Sequence, residues 1–182
     1  LFLKWYVPKI LIKKKSLALN KKLTNEINLL LSKLKLKNNT FVHRDFHVSN
    51  LMKVKKQIGI LDSQDALFGN KAYDLASLID DVRLKTSFSL KNSIYNYYVQ
   101  LNKKKINENY FRNDFEILSV LRNLKIIGIF TRLASRDKKK KYLKLIPYAW
   151  KLIENRINNN IIFEDLKNYL DDNFSMKIRM KK

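Results

Sequence analysis

The sequence contains no cysteine and, among its 182 residues, only two histidines, three glycines and two prolines. Without cysteine the chain can form neither a disulfide framework nor a thiolate metal site or nucleophile. His43 and His47 alone leave little room for an all-histidine metal site. No apolar run approaches the roughly 18 to 20 residues that span a bilayer, and the first fifteen residues match neither a signal peptide nor a transit sequence. We therefore expect a cytoplasmic protein with no membrane span.

Acidic residues are also scarce, because 38 Lys and Arg against 16 Asp and Glu give a net charge of +22. Such an excess ordinarily favours binding to nucleic acid or to an anionic membrane surface. The chain is rich in Lys, Asn and Ile, however, which AT-rich codons supply, so a solvated lysine surface is the simpler interpretation. The 46% of hydrophobic residues are enough to build a core, and the length suits one domain.

Only one stretch of the chain is balanced in charge. Residues 1–40 carry ten basic residues and a single acid, Glu26, whereas residues 41–83 carry six basic residues and six acids. All six acids of the second stretch are aspartates: Asp45, Asp62, Asp65, Asp74, Asp80 and Asp81. A short stretch with aspartate as its only acid, inside a basic chain, indicates a site that needs carboxylates.

Hydrophobic periodicity predicts a mostly helical chain with one small β-hairpin. Apolar residues at helical spacing predict helices over 18–37, 72–85, 91–102, 111–134, 140–157 and 161–172, with Pro147 at a kink or a helix start. A short strand is predicted at 41–42, a hairpin from 51–54 and 58–61 around a turn at 55–57, and a further turn at 69–70. Because strands and helices do not alternate as in a parallel sheet, the expected fold class is α+β, mostly helical.

The loop after the first strand carries the residue types that phosphoryl transfer needs. It reads His43-Arg44-Asp45, with Asn50 five residues after the aspartate, and Asp62 follows the second hairpin strand. In a kinase-type site a carboxylate orients the acceptor hydroxyl and takes its proton, while an amide oxygen and a second carboxylate hold Mg²⁺ at the ATP phosphates. The spacing therefore predicts Asp45 as the catalytic base, Asn50 and Asp62 as metal ligands, and Mg²⁺ and ATP as cofactors.

The run VHRDFHVSNLM…GILDSQDALFGNKAYDLASLIDD resembles the catalytic segment of the aminoglycoside phosphotransferase and choline kinase family. More narrowly, it resembles the bacterial kinases that phosphorylate N-acetylmuramate and N-acetylglucosamine at the anomeric hydroxyl, and residues 126–150 are also similar to those sugar kinases. The resemblance implies a bilobal protein-kinase-like fold and a small hydroxylated acceptor, such as an amino sugar of cell-wall recycling. It also matches Asp74 to the aspartate that braces the catalytic loop through its backbone.

The sequence departs from the family in two places. Ser63 stands where the family usually has an aromatic residue after the metal aspartate. The forty residues before the loop are predicted to be helical and contain no Gly-rich phosphate loop, strand-borne Lys or partner Glu. We therefore expect residues 1–182 to form the C-terminal catalytic and acceptor lobe of a protein-kinase-like fold, with the N-terminal nucleotide lobe expected upstream and this fragment alone inactive.

Other residues receive weaker assignments, each beside a purely structural alternative. Substrate binding is assigned to Arg44, His47, Asp65 and Arg132, and bracing of the loop to His43. Asp80, Asp81 and Arg83 are assigned to the helix surface, with a place in the acceptor cleft as the alternative. The run 138–141 is assigned to a solvated loop, and Tyr95, Tyr97 and Tyr98 to the core and its rim.

Two other functions stay open at this point. One is a catalytically silent remnant that binds a ligand or a partner, which the missing nucleotide lobe favours. The other is a basic nucleic-acid-binding helical domain, for which salt-dependent retention on DNA or RNA would be the test. The aspartate-only stretch argues against nucleic acid, so the expected partners are ATP and a small-molecule acceptor.

Overall fold

A computed structural model describes residues 1–181 and divides the chain into two compact units. The first, which we call the sheet unit, consists of residues 34–119. The second, which we call the helical unit, consists of residues 1–33 together with those from Val120 onward. The predicted class, α+β and mostly helical, is confirmed.

The sheet unit contains two small antiparallel sheets of two strands each. Strand β1 (Thr40–Val42) pairs with β4 (Leu67–Gly69), and β2 (Leu51–Val54) pairs with β3 (Gln57–Ile60). The hairpin prediction is confirmed, although its connection is only Lys55-Lys56, because Gln57 already pairs with Val54. Lys55 has a left-handed φ of 53°, which a tight two-residue connection favours.

Helices α3 (Ala72–Ile79), α4 (Phe88–Leu101) and the first part of α5 (Glu108–Ser135) build the core of the sheet unit. Their buried apolar residues pack in one cluster: Ala72, Leu75, Ala76, Ile79, Tyr95, Val99, Phe111, Phe115 and Leu118. The Ser87 side chain accepts a hydrogen bond from the Leu90 amide, which caps the start of α4. Helix α3 ends at Ile79, six residues before the predicted end, because the chain turns inward at Asp80.

The helical unit begins with a π-helical turn (Phe2–Tyr6) that continues into α1 (Val7–Ile10) and α2 (Lys13–Ser32). The remaining part of α5 is followed by α6 (Ile146–Ile157), α7 (Glu164–Asn173) and α8 (Met176–Arg179). Two 3₁₀ segments, Lys140–Leu145 and Ile161–Phe163, occupy the starts of the last two predicted helices. Pro147 lies in the first turn of α6, so of the two alternatives for this proline the structure shows a helix start.

Four aromatic side chains hold the core of the helical unit together. Phe2, Tyr6, Trp150 and Phe174 lie with their ring centroids 5.2 to 5.9 Å apart, and the Trp150 indole donates to the Tyr6 hydroxyl at 3.2 Å. The same end of the chain packs closely on α5. A Cβ atom at Gly128 would lie 2.3 Å from the backbone carbon of Leu1, so this position excludes every side chain larger than hydrogen.

Over the described residues 1–181, none of the helices combines the length and the apolar character that crossing a membrane requires.

Candidate active site

Near the start of the segment between β1 and β2 (residues 43–50), one residue has a strained backbone that a carboxylate holds in place. Arg44 has a left-handed φ of 72°, which costs a non-glycine residue on the order of 1–3 kcal/mol and persists only where the surroundings fix it. Asp74, in the first turn of α3, accepts the backbone amide of His43 at 2.7 Å and that of Arg44 at 3.0 Å. Hydrogen bonds to an ionised carboxylate are the strong kind, so Asp74 fixes the start of the loop.

The second half of the loop folds back onto Asp45. The backbone carbonyl of Asp45 accepts the His47 amide at 3.0 Å and the side-chain amide of Asn50, also at 3.0 Å. Residues Val48–Asn50 form a single 3₁₀ turn. Because the amide nitrogen of Asn50 is committed to Asp45, its side-chain oxygen is the atom of that group able to face a ligand. The Asp45 side chain is half-buried.

Asp62 follows β3 on a segment that is bonded directly to this loop. The Leu61 amide donates to the backbone carbonyl of Asn50 at 2.9 Å, and the buried His43 ring donates from Nε2 to the Leu61 carbonyl, also at 2.9 Å. Asp62 itself is exposed, with a left-handed φ of 66°. The structure therefore places Asp45, Asn50 and Asp62 on one hydrogen-bonded pair of loops.

The donor atoms on these two loops fit Mg²⁺. Within residues 1–181 no three His, Cys, Asp or Glu side chains are grouped so that they could hold a metal ion among themselves. Asp62 and Asn50 instead offer one carboxylate and one amide oxygen. Mg²⁺ is usually held in this way, through one or two protein oxygens, with water and substrate phosphates as the other ligands.

The residues assigned to substrate binding fall in different places. The Arg44 guanidinium donates to the backbone carbonyl of Asp65 at 3.2 Å, so these two lie together at the exposed side of the loop. His47 is buried, with 7% of its surface exposed. Arg132 belongs to the helical unit, where it is half-buried on α5 and its Nε has no hydrogen-bond partner among the described residues.

The expectation that Asp80 and Asp81 are surface charges is wrong, because each is only 1% exposed. The Asp80 carboxylate accepts the Ser119 hydroxyl and pairs with the buried Lys91 ammonium at 3.2 Å, and Lys91 also donates to the Ile79 carbonyl. The early end of α3 turns both acids inward, where such partners offset the cost of burying a charge.

The pKa of Tyr98 depends in part on the charge of Asp74. Burial raises the pKa of the Tyr98 hydroxyl, and the nearby Asp74 carboxylate raises it further. The ring is half-buried and stacks on Phe111 at 5.3 Å, while Tyr95 is buried and Tyr97 is 64% exposed. These aromatics lie in the core and at its rim.

Asp114 anchors the site from a distance, and the sequence analysis did not single it out. Its fully buried carboxylate accepts the backbone amides of Lys35 and Leu36, both at 2.8 Å, and the side-chain amide of Asn70 at 2.6 Å. Asn70 in turn accepts the Ala72 amide at 3.0 Å and so fixes the start of the helix that carries Asp74. The available signal was an acid on the apolar face of the helix predicted over 111–134.

Sequence comparison relates the chain to known phosphotransferases. The model of the phosphotransferase enzyme family (APH) matches residues 1–102. The chain is 36% identical over 154 residues to an N-acetylmuramate/N-acetylglucosamine kinase of Neisseria meningitidis serogroup B. This aligned region covers 81% of this chain and 46% of the relative. Kinases of the same name from Caulobacter vibrioides and Pseudomonas aeruginosa are each 32% identical, over 60% and 64% of this chain and 31% and 36% of their own lengths.

The chain thus spans less than half the length of these curated relatives. The family resemblance that the loop motif carries is confirmed, because the family model covers more than half of the chain. The chain belongs to the phosphotransferase enzyme family (APH).

Proposed function

We propose that the chain is the C-terminal lobe of a kinase that uses ATP and Mg²⁺ to phosphorylate a hydroxyl group of an amino sugar of the N-acetylmuramate or N-acetylglucosamine type. The observation that carries the proposal is the hydrogen-bonded loop pair with Asp45, Asn50 and Asp62, in a member of a phosphotransferase family. The names of the relatives supply the class of acceptor.

In the proposed reaction, Asp45 orients the acceptor hydroxyl towards the γ-phosphorus of ATP. The hydroxyl oxygen bonds to phosphorus as the bond to the leaving ADP oxygen breaks, and the hydroxyl proton passes to the Asp45 carboxylate. An aspartate is a weak base for an alcohol, so its effect is to fix the nucleophile and accept the proton late, worth about 10²–10⁴ in rate.

Asn50 and Asp62 are the proposed Mg²⁺ ligands, and the bound ion supplies compensation for the negative charge of the phosphates. Asp74 and His43 are proposed to hold these residues in register, since their hydrogen bonds join the start of the loop to α3 and to the Leu61 carbonyl. For the acceptor we propose contacts from three further side chains of the sheet unit: Arg44, His47 and Asp65.

The exposed hairpin supports the assignment to one lobe of a larger enzyme. Ile58 and Ile60 share one face of the hairpin, while Met52 and Val54 share the other, and all four are 46% to 62% exposed. A two-stranded hairpin with both faces in water is marginally stable. We propose that the nucleotide lobe covers this hairpin and contributes the phosphate loop and lysine that a kinase site requires.

Two measurements test the proposed function. On the chain as it stands, ligand-observed NMR should show binding of N-acetylglucosamine or N-acetylmuramate and no binding of choline. On the reading frame extended upstream to include a nucleotide lobe, ADP formation should depend on the sugar, and ³¹P NMR should show a sugar phosphate. Failure of the extended protein to form ADP with any amino sugar would contradict the proposal.

A further inference from the structure

Asp81 provides a second attachment point for the loop of residues 43–50. It follows α3 by two residues, and its Oδ2 accepts the backbone amide of Val48 at 3.3 Å. Its Oδ1 accepts the Arg83 amide at 3.0 Å and the Arg83 guanidinium at 3.3 Å. Because a buried carboxylate is stable only with such partners, these contacts account for its burial. They also join the end of α3 to the second half of the loop.

The loop is therefore held at two points by the same stretch of chain. Asp74, near the start of α3, accepts the amides of the two residues that precede Asp45. Asp81, just after α3, accepts the amide of Val48, which follows Asp45 in the chain. Val48 opens the 3₁₀ turn that ends at Asn50. A displacement of Val48 is therefore transmitted to Asn50 through this short turn, and it strains the hydrogen bonds that Asn50 makes to Asp45 and Leu61.

We propose that Asp81 is a positioning residue that fixes Val48 and, through the short turn, the side-chain oxygen of Asn50 at the metal end of the site. The inference rests on the proposed function, since it takes Asn50 as a metal ligand. Residues that orient a ligand without touching the metal commonly contribute 10- to 100-fold to metal affinity, and only Ser49 separates Val48 from the proposed ligand Asn50 here.

The test measures binding of Mn²⁺, as a paramagnetic substitute for Mg²⁺, to the full 182-residue chain by electron paramagnetic resonance of the free ion. Asp81→Asn preserves size but replaces one acceptor oxygen with a donor, so the amides of Val48 and Arg83 can no longer both be accepted. We expect Mn²⁺ binding to weaken about tenfold.

Val48→Pro removes the same hydrogen bond from the loop side. The extended backbone of His47 (φ −142°, ψ 164°) suits the residue before a proline, and Val48 occupies the first position of the 3₁₀ turn, where proline fits. Alone it should also cost about tenfold. The double variant Asp81→Asn/Val48→Pro should lose about tenfold rather than about a hundredfold, because both changes remove one shared interaction.

Two controls separate this role from general loosening and from failure of the site itself. Asp80→Asn makes the same change at the neighbouring buried aspartate, which pairs with Lys91 and Ser119. It should lower the melting temperature and leave Mn²⁺ affinity within about twofold, as expected of a site without a shared partner. Asp62→Asn removes the proposed carboxylate ligand and should weaken Mn²⁺ at least about tenfold.

The outcomes distinguish the two proposals. If Asp62→Asn binds Mn²⁺ as the unchanged chain does, the metal site and the inference about Asp81 both fail. If Asp62→Asn weakens binding but Asp81→Asn does not, if the double variant shows independent losses, or if Asp80→Asn weakens binding equally, only the inference about Asp81 is overturned. Should circular dichroism show Asp81→Asn unfolded, Val48→Pro decides alone: unchanged affinity overturns the inference and a tenfold loss supports it.

Discussion

Replacing Asp74 by Asn tests how strongly a single carboxylate holds the strained start of the loop. The asparagine keeps the size of the side chain but offers one acceptor oxygen where two are used, so the amide of either His43 or Arg44 loses its partner. Hydrogen bonds to a charged group contribute about 1.5–3 kcal/mol. Arg44 already adopts a strained φ of 72°, so its backbone conformation does not offset the lost hydrogen bond. We therefore expect the free energy of local unfolding at the start of the loop to fall by an amount in that range.

Amide hydrogen exchange followed by NMR is the suitable assay, because a chain of two compact units need not unfold in a single step. A local loss of about 1.5–3 kcal/mol makes exchange at His43 and Arg44 about 10- to 150-fold faster, since 1.36 kcal/mol corresponds to a factor of ten. Asp45→Asn is the matched control, because the hydrogen bonds shown for Asp45 run through its backbone carbonyl. It should change exchange by no more than about twofold.

Tyr98 provides an independent readout of the same substitution. Because the charge of Asp74 adds to the effect of burial on the Tyr98 pKa, Asp74→Asn should lower that pKa towards the ordinary value, as measured by NMR of ¹³C-labelled tyrosine. Tyr98→Phe identifies the resonance. Unchanged exchange at His43 and Arg44, in a variant whose Tyr98 pKa has fallen, would refute the bracing role, because the charge would be gone without any effect on the loop.

Three further substitutions give expected outcomes elsewhere in the chain. In a protein that includes the nucleotide lobe, Asp45→Asn should lower kcat by about 10²–10⁴ with nearly unchanged ATP affinity, and full activity would contradict its catalytic role. Gly128→Ala forces a Cβ against the backbone of Leu1 and should destabilise the helical unit by about 1–3 kcal/mol in urea unfolding; no change would show that the contact relaxes freely. Burial, with a contribution from Asp165, raises the pKa of Glu26. The ionised form therefore weakens the fold as pH rises above the ordinary value near 4.3. Glu26→Gln should raise the melting temperature at pH 7 and not at pH 4, and an equal gain at both would contradict this reasoning.

The elements that the sequence predicted correctly are those set by local pattern. The hairpin at 51–60 and the strand at 40–42 have apolar runs bounded by turn residues, and the long helix over 108–135 has sustained helical spacing. Strand β4 was not predicted, because Leu67–Gly69 is only three residues long. Its pairing with β1 joins residues 25 to 29 apart in sequence, which no local pattern records.

Helix ends were predicted less well, for a physical reason that α2 and α3 illustrate. Helix α2 occupies Lys13–Ser32 rather than 18–37, and α3 stops at Ile79 rather than 85. In α3 the apolar spacing continues through Val82, which is buried, so the pattern alone suggests more helix. The chain leaves the helix there because Asp80 and Asp81 reach buried partners that only the folded unit brings close.

The sequence predicted which residue types form the candidate site, but not the role of each of the six aspartates. The spacing singled out Asp45, Asn50 and Asp62, and the structure shows these on bonded loops. The burial of Asp80 and Asp81, and the contacts of Asp114 with the chain at 35–36, depend on partners more than thirty residues away or on the packing of whole helices. A sequence pattern cannot state such distances.

The contacts of the aspartates suggest why one short stretch is so rich in this residue. Asp74 and Asp81 accept backbone amides on either side of Asp45, and they do so from the start and the end of one helix. A carboxylate on a short stem can accept two amides while it stays close to the backbone, which a glutamate reaches only with an additional flexible bond. Under the proposed function, Asp45 and Asp62 require equally fixed carboxylates. The same demand for short, rigid acceptors therefore explains both the aspartates proposed for chemistry and those that hold the loop on which the chemistry depends.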